Sequence, residues 1–255
     1  MSLGLALSGG GIRCVAHLAV VQCLQEWGVS PSHYSGTSGG ALIASLLAAG
    51  KSPQEILTLV KEISVLGLLK PKFSSQGLID VAGALKSFTS HLPPKFEDLS
   101  VPVMVTATNV RTGVCDVFSS GELVKPVLAS CCMPVFFCPI QIGSDLYIDG
   151  GVVNNLPADA LIGKSNYIMG VHTNPVAHDY RGTSVKAILE RTFLLAINGN
   201  VKGNKAVCHS FLEPEVLKDV KVFEWKRTEE IYTRTIEWLK PQMPALTEEI
   251  LKAAG

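Results

Sequence analysis

Tyr34-Ser35-Gly36-Thr37-Ser38-Gly39-Gly40-Ala41-Leu42-Ile43-Ala44 carries three signals at once. A short strand pattern runs into Gly36, Ser38 follows on a sharp turn, and an apolar helical run begins at once. That is the strand–turn–helix context of a G-x-S-x-G nucleophile elbow. The flanking glycines have a mechanical reason, because a serine lifted above a sheet edge forces its neighbours into contacts that a Cβ would block. The helix that follows aims its unpaired N–H groups at an oxygen that gains negative charge. The same residues also suit a glycine-rich βα turn with Ser38 as a helix cap. The rest of the chain decides between the two readings.

Composition narrows the classes. The chain has 255 residues, 47% of them hydrophobic, enough to bury a substantial α/β core. Lys plus Arg and Asp plus Glu both number 22, so the formal net charge is zero. A general nucleic-acid binder needs a basic surplus, and strong attraction to anionic membranes needs one too; neither is present. The apolar start Met1-Ser2-Leu3-Gly4-Leu5-Ala6-Leu7 lacks a basic n-region and does not read as a signal peptide. The uncharged run 126–144 holds Pro126, Pro134 and Pro139 and cannot be one continuous membrane helix. Seven cysteines without a C-x-x-C pattern read as reduced, mostly buried thiols of a cytoplasmic protein.

Along the chain, strand patterns alternate with helical ones. Leu3–Ser8 leads through Gly9-Gly10-Gly11 into a helical pattern at 12–27, stopped by Gly28. The Ser38 helix ends at Gly50, and Ser52-Pro53-Gln54-Glu55 reads as a capping box opening the next. Val65–Leu69 is an apolar segment that suits either core or a flap over a lipid site. Residues 77–90 read as a helix, 101–108 as a buried strand with a hairpin partner at 114–118, and 122–132 as a helix. A short strand at 146–148 enters Asp149-Gly150-Gly151, a helix starts after Asn154-Asn155, and 167–171 is another buried strand. The part from about 184 to 255 reads as helical and amphipathic. This alternation predicts a single α/β domain over 1–255 with a mainly parallel central sheet.

In such sheets reactive groups gather where strands end and helices begin. Three glycine-bearing loops share that position: Gly9–Gly11, Gly36–Ser38 and Asp149–Gly151. A serine hydroxyl needs a base, and Asp149 becomes one if burial raises its pKa. The N–H groups of the first loop and of Gly39 are candidate oxyanion donors. Arg13, on the first turn after the first loop, adds a cation facing the same anion. His172 follows a buried strand and offers a Ser–His alternative, although a strand-end histidine is more often structural.

Taken together, Gly9-Gly10-Gly11-Ile12-Arg13, Gly36-Thr37-Ser38-Gly39-Gly40 and Asp149-Gly150-Gly151 resemble the signature blocks of the patatin-like phospholipase family. The stretch 129–139 is similar to that family's A-S-x-x-x-P-x-x-F-x-P block, and 103–113 to its central strand and turn. The likeness covers about residues 3–175 and leaves the C-terminal third unmatched. Two departures stand out: Cys14 where the family often has Gly, and Asn109 where Asp is common.

The resemblance implies a three-layer α/β/α fold of the patatin-like acyl hydrolase type. It implies a Ser38–Asp149 dyad, oxyanion donors at Gly10, Gly11 and Gly39, and Arg13 orienting an anionic or phosphate part of the substrate. The partner it implies is a lipid or fatty acyl ester, with transient membrane-surface contact and no nucleic acid. No cofactor and no metal is implied. An acyltransferase using the same serine, and a non-catalytic binding module of the same fold, remain as alternatives, and oligomeric state is left open.

Overall fold

In this computed structural model, residues 2–66, 81–134 and 136–253 are described. The chain opens with β1 (Leu3–Leu7), a 3-10 turn at Gly11–Cys14 and α1 (Val15–Glu26). β2 (His33–Thr37) then runs into α2 (Gly39–Ala48), followed by α3 (Pro53–Leu66) and α4 (Val81–Thr89). β3 (Val103–Asn109), β4 (Cys115–Phe118), α5 (Val124–Ser130), β5 (Ile140–Ile142) and β6 (Asp145–Asp149) complete the middle of the chain. The last third contributes β7 (Tyr167–Val171), α6 (Val185–Lys205), β8 (Ser210–Leu212), α7 (Thr228–Leu239) and α8 (Met243–Lys252).

The strands form one sheet in the order β5-β6-β3-β2-β1-β7-β8, with β4 also on β3. From β3 through β2, β1 and β7 to β8 every pairing is parallel, while β4, β5 and β6 join antiparallel. β1, β3 and β7 are buried along their whole length, as expected where both faces of a parallel sheet are covered. Side chains alternate between the two faces. Leu5, Leu7, Val103, Val105 and Met169 enter the large core with residues of α1–α3, α7 and α8. Ala6, Met104 and Ile168 enter a smaller core with Leu156, Leu161 and Val201 of α6. Helices therefore cover both faces, which is the three-layer arrangement the family resemblance implies.

The capping box forms: the Ser52 N–H donates to Glu55 Oε2 at 2.8 Å and the Glu55 N–H to Ser52 Oγ at 3.2 Å. Two expectations need correction. The helix expected after Asn154-Asn155 is only a 3-10 turn at Ala158–Leu161. There the Asn155 N–H is drawn to Asn200 Oδ1 at 3.0 Å, and its side chain lies against Gly9 and Gly151. The C-terminal third is not purely helical, because β8 extends the parallel sheet beside β7. Val65 and Leu66 close α3; the rest of the expected flap segment and the start of the helix expected at 77 lie outside the described residues. Among the described residues no helix is long and apolar enough to cross a membrane.

Candidate active site

Ser38 is the single non-glycine residue with positive φ among those described, at φ 54° and ψ −126°. Such a conformation costs on the order of 1–3 kcal/mol and persists only where the surroundings hold it. Here they do. A Cβ on Gly40 would fall 2.4 Å from the Leu7 carbonyl oxygen, so the start of α2 is pressed against the end of β1. The Ser38 N–H donates to Ser130 Oγ at 2.7 Å, and the Ser38 carbonyl accepts from the Leu42 N–H at 3.1 Å. With its amide spent on Ser130, Ser38 presents its hydroxyl to the site.

Asp149 reaches the same point from the other direction of the sheet. β6 runs antiparallel to β3 and pairs Asp149 with Ala107, while the next strand over pairs Thr37 with Thr106. The end of β6 therefore lies two strands from the end of β2, at the same level. The Thr37 and Thr106 hydroxyls bond to each other at 2.7 Å between them. The Asp149 main chain is fixed by its N–H to the Cys132 carbonyl at 2.9 Å and by the Thr108 hydroxyl donating to its carbonyl at 3.0 Å. Its carboxylate, 2% exposed, accepts the Gly151 N–H at 2.8 Å and lines the same cavity as Ser38. Burial pushes its pKa up to about 6, against the opposing pull of the Ser38 side chain and the Gly151 N–H.

The first glycine loop closes the third side. Gly9 is held by its N–H to the Asn155 carbonyl at 3.2 Å and by Asn174 Nδ2 donating to its carbonyl at 2.5 Å. Gly11 has φ +58°, and a Cβ there would meet the Val222 carbonyl oxygen at 2.4 Å, so the C-terminal segment seals directly onto this loop. The site of a Cβ on Gly39 is 3.3 Å from the Gly11 carbonyl oxygen, which brings the two loops together. The N–H groups of Gly10, Gly11 and Gly39 meet no acceptor among the described residues. A cavity of about 120 Å³ opens at Ser38, Gly11, Gly39 and Asp149. It runs between α2, α3 and α4 over Leu42, Leu46, Ile56, Val60, Phe88 and Phe137. Cys14 and Cys131 also line it, but burial pushes both thiols up, Cys14 to about 12, so neither competes as a nucleophile near neutral pH.

A nucleophile elbow, an antiparallel strand ending in a buried carboxylate and an apolar cavity between them agree with the profile of the family "Patatin-like phospholipase", which matches residues 5–162. The chain belongs to the patatin-like phospholipase family.

Among similar curated proteins, an uncharacterised NTE family protein of Mycobacterium bovis is 30% identical over 165 residues, covering 63% of this chain and 46% of that protein. The neuropathy target esterase sws of Drosophila melanogaster is 30% identical over 173 residues, 63% of this chain and 12% of its own. A lysophospholipase of Mycosarcoma maydis is 27% identical over 171 residues, 64% of this chain and 9% of its own. The chain thus spans less than half the length of these relatives. Among solved structures, VipD from Legionella pneumophila has the same fold, with a TM-score of 0.50 at 15% identity, covering 94% of this chain and 66% of that one.

Within this patatin-like fold not every expected site residue reaches the cavity. Ser38, Asp149, Gly11 and Gly39 line it together. Gly10 does not line it but packs against Thr173 and Asn174, behind Gly11. Arg13 is a correction. It is 4% exposed and does not line the cavity, and its Nε and Nη2 both donate to the Val220 carbonyl, the former at 2.8 Å. Its Nη1 reaches the Pro175 carbonyl at 3.5 Å. Burial lowers its pKa to about 10, so it stays charged and is consumed by the backbone of the C-terminal third. His172 also stands apart from the cavity, with Nδ1 on Glu213 Oε1 at 2.8 Å. His17 shares Nε2 with the Ser8 carbonyl at 2.8 Å, and burial lowers its pKa to about 4, so it is neutral.

Both departures from the family pattern find local work. Cys14 donates its S–H to the Ser8 carbonyl at 3.5 Å, next to Gly39. Asn109 accepts the N–H groups of Arg111 and Thr112 at 3.0 and 3.2 Å while its Nδ2 donates to Asp145 at 3.2 Å, two tasks no carboxylate can combine. Sequence reasoning missed Ser130 as the anchor of the elbow, and Asn155, Thr173 and Asn174 as the clamps of the first loop. Their signal is weak, because small polar residues near strand ends are common in any loop.

Proposed function

We propose that this chain is a serine acyl hydrolase of phospholipid or lysophospholipid esters, with Ser38 as nucleophile and Asp149 as base. The supporting observation is a serine on a strained backbone and a buried carboxyl, its pKa raised by burial to about 6, lining one apolar cavity together. A carboxylate of that pKa is largely ionised at neutral pH and still basic enough to take a proton in the transition state. The Ser38 oxygen bonds to the acyl carbon as its proton passes to Asp149. The Gly11 and Gly39 amides, with Gly10 behind them, receive the oxyanion; each such donor is worth about 2.7–4 kcal/mol. Asp149 returns the proton to the departing alcohol as the C–O bond breaks. Water then attacks the acyl-serine, gives a proton to Asp149, and the fatty acid leaves as Ser38 recovers its proton.

The acyl chain occupies the cavity between α2, α3 and α4, where the walls are almost entirely hydrocarbon. We place the enzyme in the cytoplasm, taking substrate from a membrane surface, with residues 1–255 acting as one domain. The test is a lipid panel read out as released fatty acid, with a fluorophosphonate probe on wild type and Ser38→Ala. Release by wild type and loss of both release and labelling in the variant is the expected result. Labelling that persists in a folded variant removes Ser38 from the reaction. An acyl group delivered to an added alcohol in preference to water makes the chain a transferase.

A further inference from the structure

A second cavity, of about 280 Å³, lies on the other side of Met133 and Phe223 from the first. Those two residues line both, so the cavities share a wall. The far side of the second is α6, through Leu189, Thr192, Phe193 and Ala196. Among its described lining residues only Glu190 and Thr192 have polar side chains. It is nearly twice the size of an apolar cavity of about 150 Å³ that stays dry and takes up benzene. Leu189, on the cavity lining, is 54% exposed, and Val185, Ile188 and Leu195 are exposed along the same helix. The apolar lining therefore continues onto an accessible helix. Val222, which also lines this cavity, receives the Ile12 N–H at 3.0 Å and abuts Gly11. The second cavity is thus anchored to the loop that carries an oxyanion donor.

We propose that this cavity is a second hydrocarbon-chain site, and that the substrate class is a lipid carrying two chains. One chain enters the cavity behind Ser38 and its partner crosses the Met133–Phe223 wall to lie along α6. This rests on the proposed acyl hydrolase reading. The common wall argues for one molecule: two chains leaving a single glycerol diverge on either side of it. A lone acyl chain has no use for a second apolar cavity fixed to the catalytic loop.

The test uses monomeric, short-chain phosphatidylcholines below their aggregation concentration, with the scissile chain held constant and the other lengthened one methylene at a time. Each buried methylene is worth up to about fourfold. In wild type kcat/KM rises with the length of the second chain. In Ala196→Trp, and independently in Thr192→Trp, bulk placed on α6 flattens that rise, so the diacyl-to-lysophospholipid ratio falls about tenfold or more. A flat wild-type series, or variants with the wild-type slope, overturns the proposal. So does a dependence seen only with vesicles, which assigns the groove to a lipid surface. Titration calorimetry of Ser38→Ala with dialkyl- and monoalkyl-ether phosphocholines separates this proposal from the hydrolase reading. If no lipid is hydrolysed but the dialkyl ether binds tighter and Ala196→Trp removes the difference, the hydrolase reading fails and the two-chain site stands. Equal binding of both ethers overturns the site.

Discussion

The Ser38 cavity buries a carboxyl group and the seam beneath the C-terminal segment buries a guanidinium, and they are used in opposite ways. Asp149 is 2% exposed and has a Ser38 hydroxyl and a single backbone amide for company. Arg13 is 4% exposed and has backbone carbonyls of Val220 and Pro175. Burial shifts both pKa values toward neutral pH, but only the carboxyl comes within reach of it, at about 6 against about 10. A carboxylate short of donors holds basicity in reserve. A guanidinium that gives Nε and Nη2 to the Val220 carbonyl and Nη1 to that of Pro175 joins two distant parts of the chain and does not line the cavity. Burial alone does not mark a functional charge; the partners that remain unmatched do.

The largest effect that can break this contrast belongs to Ser38→Ala, expected to lower ester kcat/KM by about 10⁴-fold or more with folding intact. A smaller loss measured on pure protein moves the chemistry elsewhere.

Asp149→Asn comes next, with kcat reduced by about 10²–10⁴-fold. With Asp149 as the proposed base, the wild-type rate is expected to rise with pH through about 6, where the carboxyl ionises. Stability has the opposite sign. The folded carboxyl titrates near 6 and the unfolded one near 3.9, so the fold holds a proton that the unfolded chain has lost. That contribution is full below pH about 4 and is lost as pH rises through about 6. The Asn variant escapes the loss, so at pH 8 its thermal midpoint lies above wild type, corresponding to about 3 kcal/mol, and the gap closes at pH 4. A gap that does not change with pH refutes the burial account.

Arg13→Ala is expected to cost about 2–4 kcal/mol of stability in denaturant titrations, since it strands carbonyls at the seam. Turnover of a phospholipid and of a short neutral ester falls in equal proportion. A selective loss on the phospholipid restores the substrate-orienting role expected from sequence. Ser130→Ala strands the Ser38 amide at about 1–2 kcal/mol and lowers kcat about tenfold by loosening the elbow. The smallest effect is that of Asp219→Asn, which removes exposed bridges to Arg227 and Arg234; it costs at most about 1 kcal/mol and vanishes at high salt.

The elbow was legible because its information is local. Gly36, Ser38 and Gly40 follow one another in the chain, and a turn this tight leaves few residue choices. The capping box at Ser52 and Glu55 was legible for the same reason. The place of Arg13 was not legible, because its position on a first helical turn says which way the backbone runs but not what packs over it. The cover comes from Pro175 and Val220, far along the chain. β8 escaped notice because Ser210–Leu212 is too short to show a period.

The sequence by itself determined the three glycine-bearing loops and the strand–turn–helix at Ser38, since these depend on backbone geometry within a few residues. Tertiary structure alone decided that β6 enters antiparallel and ends level with β2, bringing Asp149 to Ser38. It also decided that Arg13 belongs to the seam and that two apolar cavities share one wall. Strand register and the burial of charge are settled by which distant segments compete for the same space, and no local pattern of residues carries that outcome.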